Sequence, residues 1–309
     1  MKVSLILKTW NALLYTKLCL KSLVKNTDPS LYELIIVDNG STDGTLEFLY
    51  SFPKIHVISN NHNLGWMAGN RLGLEVANEK WICLLDNDIF FTPDWLNGLI
   101  YEIEKNKFSK LAAVSPLQVH PYIKHPYFPN QSTKQVWVEI QKSNTTKSPY
   151  ILLKKFFCNN NLNRFLRDIA NINKNWNNFV ICPPDFVSGC CLLLDREAIA
   201  LSGGFDENIF GIYGADDIDL SWRLSEKGFL IMRSNRSYIH HFKHASIIEN
   251  NINKNILNKK TSDILFSKWE HVLQSWIKNN IKNKNKQIEL SEKYFLIKNF
   301  LEWCECKNK

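Results

Sequence analysis

The chain has 309 residues and a mass of 36.0 kDa, with 45% hydrophobic and 22% charged residues. That composition excludes a wholly disordered chain, and at roughly 100–200 residues per domain the length allows one large domain or one domain with an appendage. The formal net charge is +8, and much of it lies after Ser246, where twelve Lys face seven Asp or Glu; such a balance admits phosphate-bearing ligands or anionic lipid as partners.

The elements follow in chain order. No apolar run approaches the roughly 18–20 residues that cross a bilayer. Residues 3–7 are apolar but stop at Lys8, so they read as a buried strand rather than a signal-peptide core, and the chain is expected in the cytosol. Residues 11–25 carry Leu14, Leu18, Leu20 and Leu23 at loose helical spacing, and 34–37 form a β-branched run ending at the turn Asp38-Asn39-Gly40. Thr42-Asp43 reads as a cap for a helix over 42–50. A strand is expected at 55–59, a helix at 68–78, a strand at 81–85 and a helix at 95–105 behind Thr92-Pro93-Asp94. Strands alternating with helices of about 10–15 residues point to a parallel sheet covered on both faces.

Residues 118–182 break the rhythm with His120, Pro121, His125, Pro126 and Pro129, then basic and Asn-rich stretches. That is long for a connection and reads as a lid, a binding insert or a small helical excursion. A strand at 186–194, a helix at 196–201, a Gly203-Gly204 turn, a helix at 217–227 and strands at 229–233 and 238–241 follow. The tail from about 247 reads as amphipathic helices. Eight cysteines in a long chain with no export signal read as reduced thiols, and Cys304-x-Cys306 lacks the second ligand pair a zinc site needs.

Chemistry concentrates in a few clusters. Asp86-Asn87-Asp88 ends a buried strand, where residues two apart point the same way, so both carboxylates could face one cavity with Mg²⁺ or Mn²⁺ between them. Asp216, Asp217 and Asp219 open a helix; acidic residues there cap it and meet its dipole, and three exceed what capping needs, so one could serve as a general base. His240, His241 and His244 cluster after the last strand as candidates for a metal or a phosphate. Asp38 ends the second strand, where it could accept from a base or a ribose, and no GxGxxG or P-loop is present.

The segments Ile35-Ile36-Val37-Asp38-Asn39-Gly40-Ser41-Thr42-Asp43-Gly44-Thr45, Asn63 to Asn70, and Leu84-Leu85-Asp86-Asn87-Asp88 resemble the nucleotide-site and D-x-D motifs of family 2 glycosyltransferases. Phe186 to Leu192, Gly203-Gly204-Phe205-Asp206-Glu207 and Asp216-Asp217-Ile218-Asp219-Leu220 are similar to that family's acceptor-side, G-G-F-D-E and E-D-x-D-L segments, and the residues around His241 and Phe266 resemble its rhamnosyltransferase-like branch. The ordered set is far more specific than any one motif. Lys8 stands where the family often has Pro, and Asp216 where it has Glu.

The resemblance implies an α/β GT-A fold, a Rossmann-like and mostly parallel sheet flanked by helices, over residues 1–246. Residues 118–182 would be a variable insert on the acceptor side and 247–309 a C-terminal helical extension. It implies an inverting hexosyltransferase that moves a sugar from a nucleotide diphosphate to a glycan or lipid-linked glycan, in bacterial surface polysaccharide or lipopolysaccharide assembly. Thr9, Asn11, Asp38, Asn63, Arg71 and Asp86 would bind the donor. Asp88 and His241, with His240 as the alternative, would hold Mn²⁺ or Mg²⁺, and Asp217, beside Asp216, would be the base. No nucleic-acid partner is implied. The basic tail, above all 278–309, could touch the inner face of the cell membrane or pack back on the domain. A nucleotidyltransferase and a non-catalytic nucleotide-sugar-binding domain are the rival readings.

Overall fold

The computed structural model describes residues 1–118, 148–157, 161–173, 179–211, 214–243, 245–250, 252, 254–280 and 292–307. The first half alternates β1 (Val3–Thr9), α1 (Leu13–Asn26), β2 (Tyr32–Asp38), α2 (Thr45–Ser51), β3 (His56–Ser59), α3 (Gly65–Val76), β4 (Trp81–Asp86), β5 (Ile89–Phe91), α4 (Trp95–Lys105) and β6 (Leu111–Leu117). Helices α5 (Pro149–Phe156) and α6 (Leu162–Asn173) follow, then β7 (Phe179–Ile181), β8 (Cys191–Asp195), α7 (Arg196–Leu201), α8 (Glu207–Phe210), α9 (Asp216–Glu226) and β9 (Leu230–His241). The tail holds α10 (Ala245–Glu249), α11 (Lys254–Asn280) and α12 (Glu292–Lys307).

The strands form a nine-stranded sheet in the order β3-β2-β1-β4-β8-β6-β9-β5, with β7 on β9. The sheet is mixed. Strands β3, β2, β1 and β4 run parallel, as do β6 and β9, whereas β8 is antiparallel to β4 and β6, and β5 and β7 are antiparallel to β9. The parallel part is buried on both faces, which is why β1 reads as a near-continuous apolar run rather than an alternating one. Leu5 and Leu7 pack with Cys19, Leu20 and Leu23 of α1 on one side. Ile6 packs with Met67 of α3 on the other. Gly73 lets α3 sit this close: a Cβ there would fall 2.3 Å from Ile6 Cγ2. Because β2 and β4 lie on opposite sides of β1, the strand order reverses there and leaves a crevice beyond the carboxyl ends of β1, β2 and β4.

Several expected boundaries move. Helix α2 starts at Thr45 behind Gly44, which has φ of 89° and no capping side chain; Asp43 instead accepts from the Thr45 N–H and hydroxyl at 3.1 and 2.6 Å. The strand expected at 186–194 begins only at Cys191. The two late strands are one, Leu230–His241, whose register against β6 shifts between Ser115 and Leu117.

Two additions flank this sheet. In the insert, Leu152, Leu153, Phe156, Phe157 and Phe165 form an apolar cluster with Leu18, Leu117, Tyr238 and Phe242. His120, Pro121, His125, Pro126 and Pro129 lie outside the described residues, as does His244. In the tail, Leu265, Phe266, Trp269, Leu273, Ile297 and Phe300 pack with Phe210 and Trp222. Asp219 ties α9 to α11 inside this cluster: it accepts from Arg223 Nε at 2.7 Å, Lys268 Nζ at 2.7 Å and Trp269 Nε1 at 2.9 Å. Ile297 and Phe300, expected as part of a segment able to meet a membrane, are each 1% exposed. Their apolar face is covered by α11, in line with the alternative that the tail packs back on the domain. Among the described residues no helix is long and apolar enough to cross a membrane.

Candidate active site

The carboxyl ends of β1, β2 and β4 bring together Thr9, Asp38 and Asp86. Asp38 is fully buried. Its Oδ2 accepts from the Ser41 N–H at 2.9 Å, while its Oδ1 is buried with no hydrogen-bond partner. A buried carboxylate oxygen left without a donor is costly unless a ligand supplies one. Asn70 of α3 is 1% exposed and neither of its amide atoms is bonded; it is a second buried polar group that the sequence reading passed over.

Asp86 and Asp88 do not share a strand. Strand β4 ends at Asp86, and a tight turn through Asn87 leads to β5, so the two carboxylates converge through the turn rather than through strand alternation. Asp88 Oδ1 lies 2.9 Å from His241 Nε2, and its Oδ2 accepts from the Ala245 N–H at 3.1 Å. One ligand atom from each of Asp86, Asp88 and His241 lies within 4.8 Å of the others. Two carboxylates and one imidazole make a donor set that suits Mn²⁺ and accepts Mg²⁺, so the residues fit a divalent cation.

His240 is corrected out of this centre. Successive residues of β9 point to opposite faces, so when His241 faces Asp88 its neighbour faces the insert. There His240 packs against Phe156 at 4.2 Å between ring centroids, the rings tilted by 40°, and meets Phe157 at 5.7 Å. Burial, and then the charge of His241, lower its pKa to about 3. It is a neutral aromatic-core residue.

Four further expected donor contacts are engaged within the protein. Thr9 is 1% exposed, and its hydroxyl meets that of Thr16 at 3.2 Å and Asn87 Nδ2 at 3.0 Å. Asn11 has φ of 55°, accepts from the Thr42 N–H at 2.7 Å and donates to Asn250 at 2.5 Å, clasping two loops and the tail. Asn63 accepts from the Gly65 N–H at 2.9 Å and so fixes the start of α3. Arg71, half-exposed, is ion-paired with Glu75 one turn along α3.

The middle residue of the D-x-D, not singled out from the sequence, holds this end of the sheet together. Asn87 Nδ2 donates to the Thr9 and Thr16 hydroxyls and to the Asn11 carbonyl at 2.9 to 3.1 Å, and its Oδ1 accepts from Ser246 Oγ at 3.3 Å. Replacing it by Leu removes these four bonds, although the Thr9 and Thr16 hydroxyls keep each other and the Ala12 carbonyl. At about 1–3 kcal/mol for an unsatisfied buried group, the variant is expected to lose about 1–3 kcal/mol in urea unfolding. A midpoint equal to wild type would show that the network carries nothing.

Across the crevice, α9 presents Asp216 and Asp217. The Gly189 N–H donates to Asp217 Oδ2 and the Ile218 N–H to its Oδ1, at 3.0 and 2.9 Å. Gly189 has no room for a side chain, since a Cβ would fall 2.5 Å from the Trp66 ring. Burial raises the Asp217 pKa to about 6, against the pull of those two N–H groups and with the charge of Asp86 adding to the rise. Asp216 is 4% exposed with Oδ1 unbonded, and burial, then the charge of Asp217, lifts its pKa to about 7.

The family model described as Glycosyl transferase family 2 matches residues 4–187. An uncharacterized glycosyltransferase of Haemophilus influenzae is 33% identical over 108 residues, 34% of this chain and 33% of its own length. The match therefore spans about a third of that relative. The N-acetylglucosaminyl-diphospho-decaprenol L-rhamnosyltransferase of Mycobacterium tuberculosis is 25% identical over 226 residues, 69% of this chain and 67% of its own length. Among solved structures, the mannosyltransferase PcManGT from Pyrobaculum calidifontis, in complex with GDP-Man and Mn²⁺, superposes with a TM-score of 0.52 at 14% identity, covering 98% of this chain and 69% of that one. At that identity the likeness is one of fold, a mixed curled sheet flanked by helices of the GT-A type.

Proposed function

Because the chain belongs to glycosyl transferase family 2, we propose that it moves a hexosyl group from a nucleotide diphosphate sugar to an acceptor hydroxyl in one inverting displacement. The acceptor class we assign is a glycan or lipid-linked glycan of bacterial surface polysaccharide or lipopolysaccharide. The observation that carries the reading is the convergence of Asp86, Asp88 and His241 within 4.8 Å of one another at the end of β4.

Asp38 Oδ1, buried and unbonded, accepts an N–H of the nucleotide base. Asp86, Asp88 and His241 would hold Mn²⁺ or Mg²⁺, which when bound neutralises charge on a departing diphosphate. Asp217, oriented by the Gly189 N–H, takes the acceptor hydroxyl proton as that oxygen attacks the anomeric carbon. The bond from that carbon to the diphosphate oxygen breaks, its electron pair leaves with the nucleoside diphosphate, and no enzyme nucleophile is needed. The insert helices α5 and α6 belong to the acceptor side in this reading. Contact with the inner membrane face uses the basic outer surface of the tail, since the apolar face is packed.

The test is a panel of nucleotide sugars with and without Mn²⁺. One donor is expected to raise the melting temperature only when Mn²⁺ is present, as ligand binding to the native state requires. Transfer from it should give a product of inverted anomeric configuration by NMR. Retained configuration, or equal transfer in excess chelator, would overturn the reading.

A further inference from the structure

Lys8 interrupts the apolar run of β1 and lies in register with Asp86 on the neighbouring strand. Its Nζ donates to Asp86 Oδ1 at 3.0 Å, and the two side chains are only 18% and 24% exposed. The aliphatic stem runs along α3 at Gly69, where a Cβ would come within 3.3 Å of Lys8 Cδ. Its charge also acts on Asp216 of α9. The ammonium is therefore bonded to one of the residues that would hold the cation.

Resting on the assignment of Asp86, Asp88 and His241 as the metal centre, we infer that Lys8 is a resident counter-ion that competes with the divalent cation for Asp86. An ammonium and a divalent cation drawn to the same carboxylate repel each other, and at partial burial this repulsion is only partly screened. In the nucleotide-free enzyme Lys8 keeps Asp86 neutralised and the cation weakly held. A cation arriving with the diphosphate brings phosphate oxygens into its own shell and so depends less on Asp86. Lys8 is thus a positioning residue that couples metal occupancy to donor occupancy. A purely structural lysine predicts the opposite sign, because losing it would loosen Asp86 and weaken the metal site.

The sign is read by titrating the purified full chain with Mn²⁺ alone and following free Mn²⁺ by electron paramagnetic resonance. Lys8→Met keeps the packed stem and removes the charge. It is expected to bind Mn²⁺ about tenfold or more tightly than wild type, while Lys8→Arg stays near wild type. Lys8→Gln serves as the second neutral variant should Lys8→Met not fold by thermal melting. Unchanged or weaker Mn²⁺ binding in the folded neutral variant, with wild-type binding abolished by Asp88→Asn, overturns the Lys8 inference and leaves the metal centre standing. Mn²⁺ binding that Asp88→Asn does not weaken overturns the metal centre and this inference with it, and no binding by any of the proteins overturns the Lys8 inference.

Discussion

Asp88→Asn is expected to lower kcat/KM by at least about 10³-fold and to remove Mn²⁺ binding while the fold survives. The size follows from what Asp88 does. Its two oxygens meet His241 Nε2 and the Ala245 N–H, so one carboxylate faces the imidazole, fixes the start of α10 and faces the cation position. An amide of the same shape keeps one acceptor oxygen and turns an N–H₂ toward the other partner. It cannot serve a cation and both partners together. Loss of several kcal/mol of charge stabilisation on a leaving diphosphate corresponds to about 10³-fold or more in rate, at tenfold per 1.36 kcal/mol. Initial rates against Mn²⁺ concentration, direct Mn²⁺ binding and circular dichroism together check the result. Full wild-type activity in excess chelator, with no metal detected, would sink the assignment.

His241 shows how far the sequence carries this site. The pair His240-His241 says that one imidazole of a strand faces each side, but not which. That choice is set by the register of β9 on β5, where His241 pairs with Ile89 and His240 with Phe90. The partner strand lies about 150 positions away in the chain, so no local pattern contains the answer. Asp86 and Asp88 were legible as a converging pair although the route is a turn, because the cavity constrains where the carboxylates end rather than how the backbone delivers them. Thr9, Asn11 and Asn63 looked like ligand contacts for a different reason. Short polar residues at strand ends bind nucleotides and also satisfy loop backbone, and composition does not separate the two uses. Strands β1 to β4 and helices α1 to α4 were legible to within about three residues, since buried parallel strands and their covering helices carry strong local patterns, whereas β5 and β6 were not expected. The strand expected at 186–194 was shortened by a tertiary demand: Gly189 must pass Trp66 and give its N–H to Asp217. The tail was ambiguous for a related reason, because one apolar face suits lipid and α11 equally, and only the packing of Phe266 on Phe300 at 5.5 Å decides it for α12.

Asp217→Asn is expected to lower kcat by about 10² to 10⁴, the usual contribution of a general base, with donor and Mn²⁺ affinity nearly unchanged. Asn keeps an oxygen for the Gly189 N–H but cannot take a proton. The pH profile supplies the sharper test. The Asp217 pKa is raised to about 6, first by burial, and a base works only when ionised. Wild-type kcat/KM should therefore reach its plateau above about pH 6 and fall tenfold per unit below it, and Asp217→Asn should lack that limb. Asp216, raised to about 7 by burial and then by Asp217, is the control. Its shift also sets a stability trend: a carboxyl whose folded pKa is raised favours the fold at low pH, and that contribution is lost as pH rises through about 7. Asp216→Asn should accordingly melt higher than wild type at pH 8 in the metal-free protein, gain little at pH 4, and keep an acid limb, since it leaves Asp217 in place. The charge of Asp217 acts on Asp216, so rates, melting temperatures and the limb must be read on both variants. If Asp216→Asn abolishes the limb and Asp217→Asn retains it with only a mild loss of rate, Asp216 is the base and the Gly189-bound Asp217 is the residue that positions it.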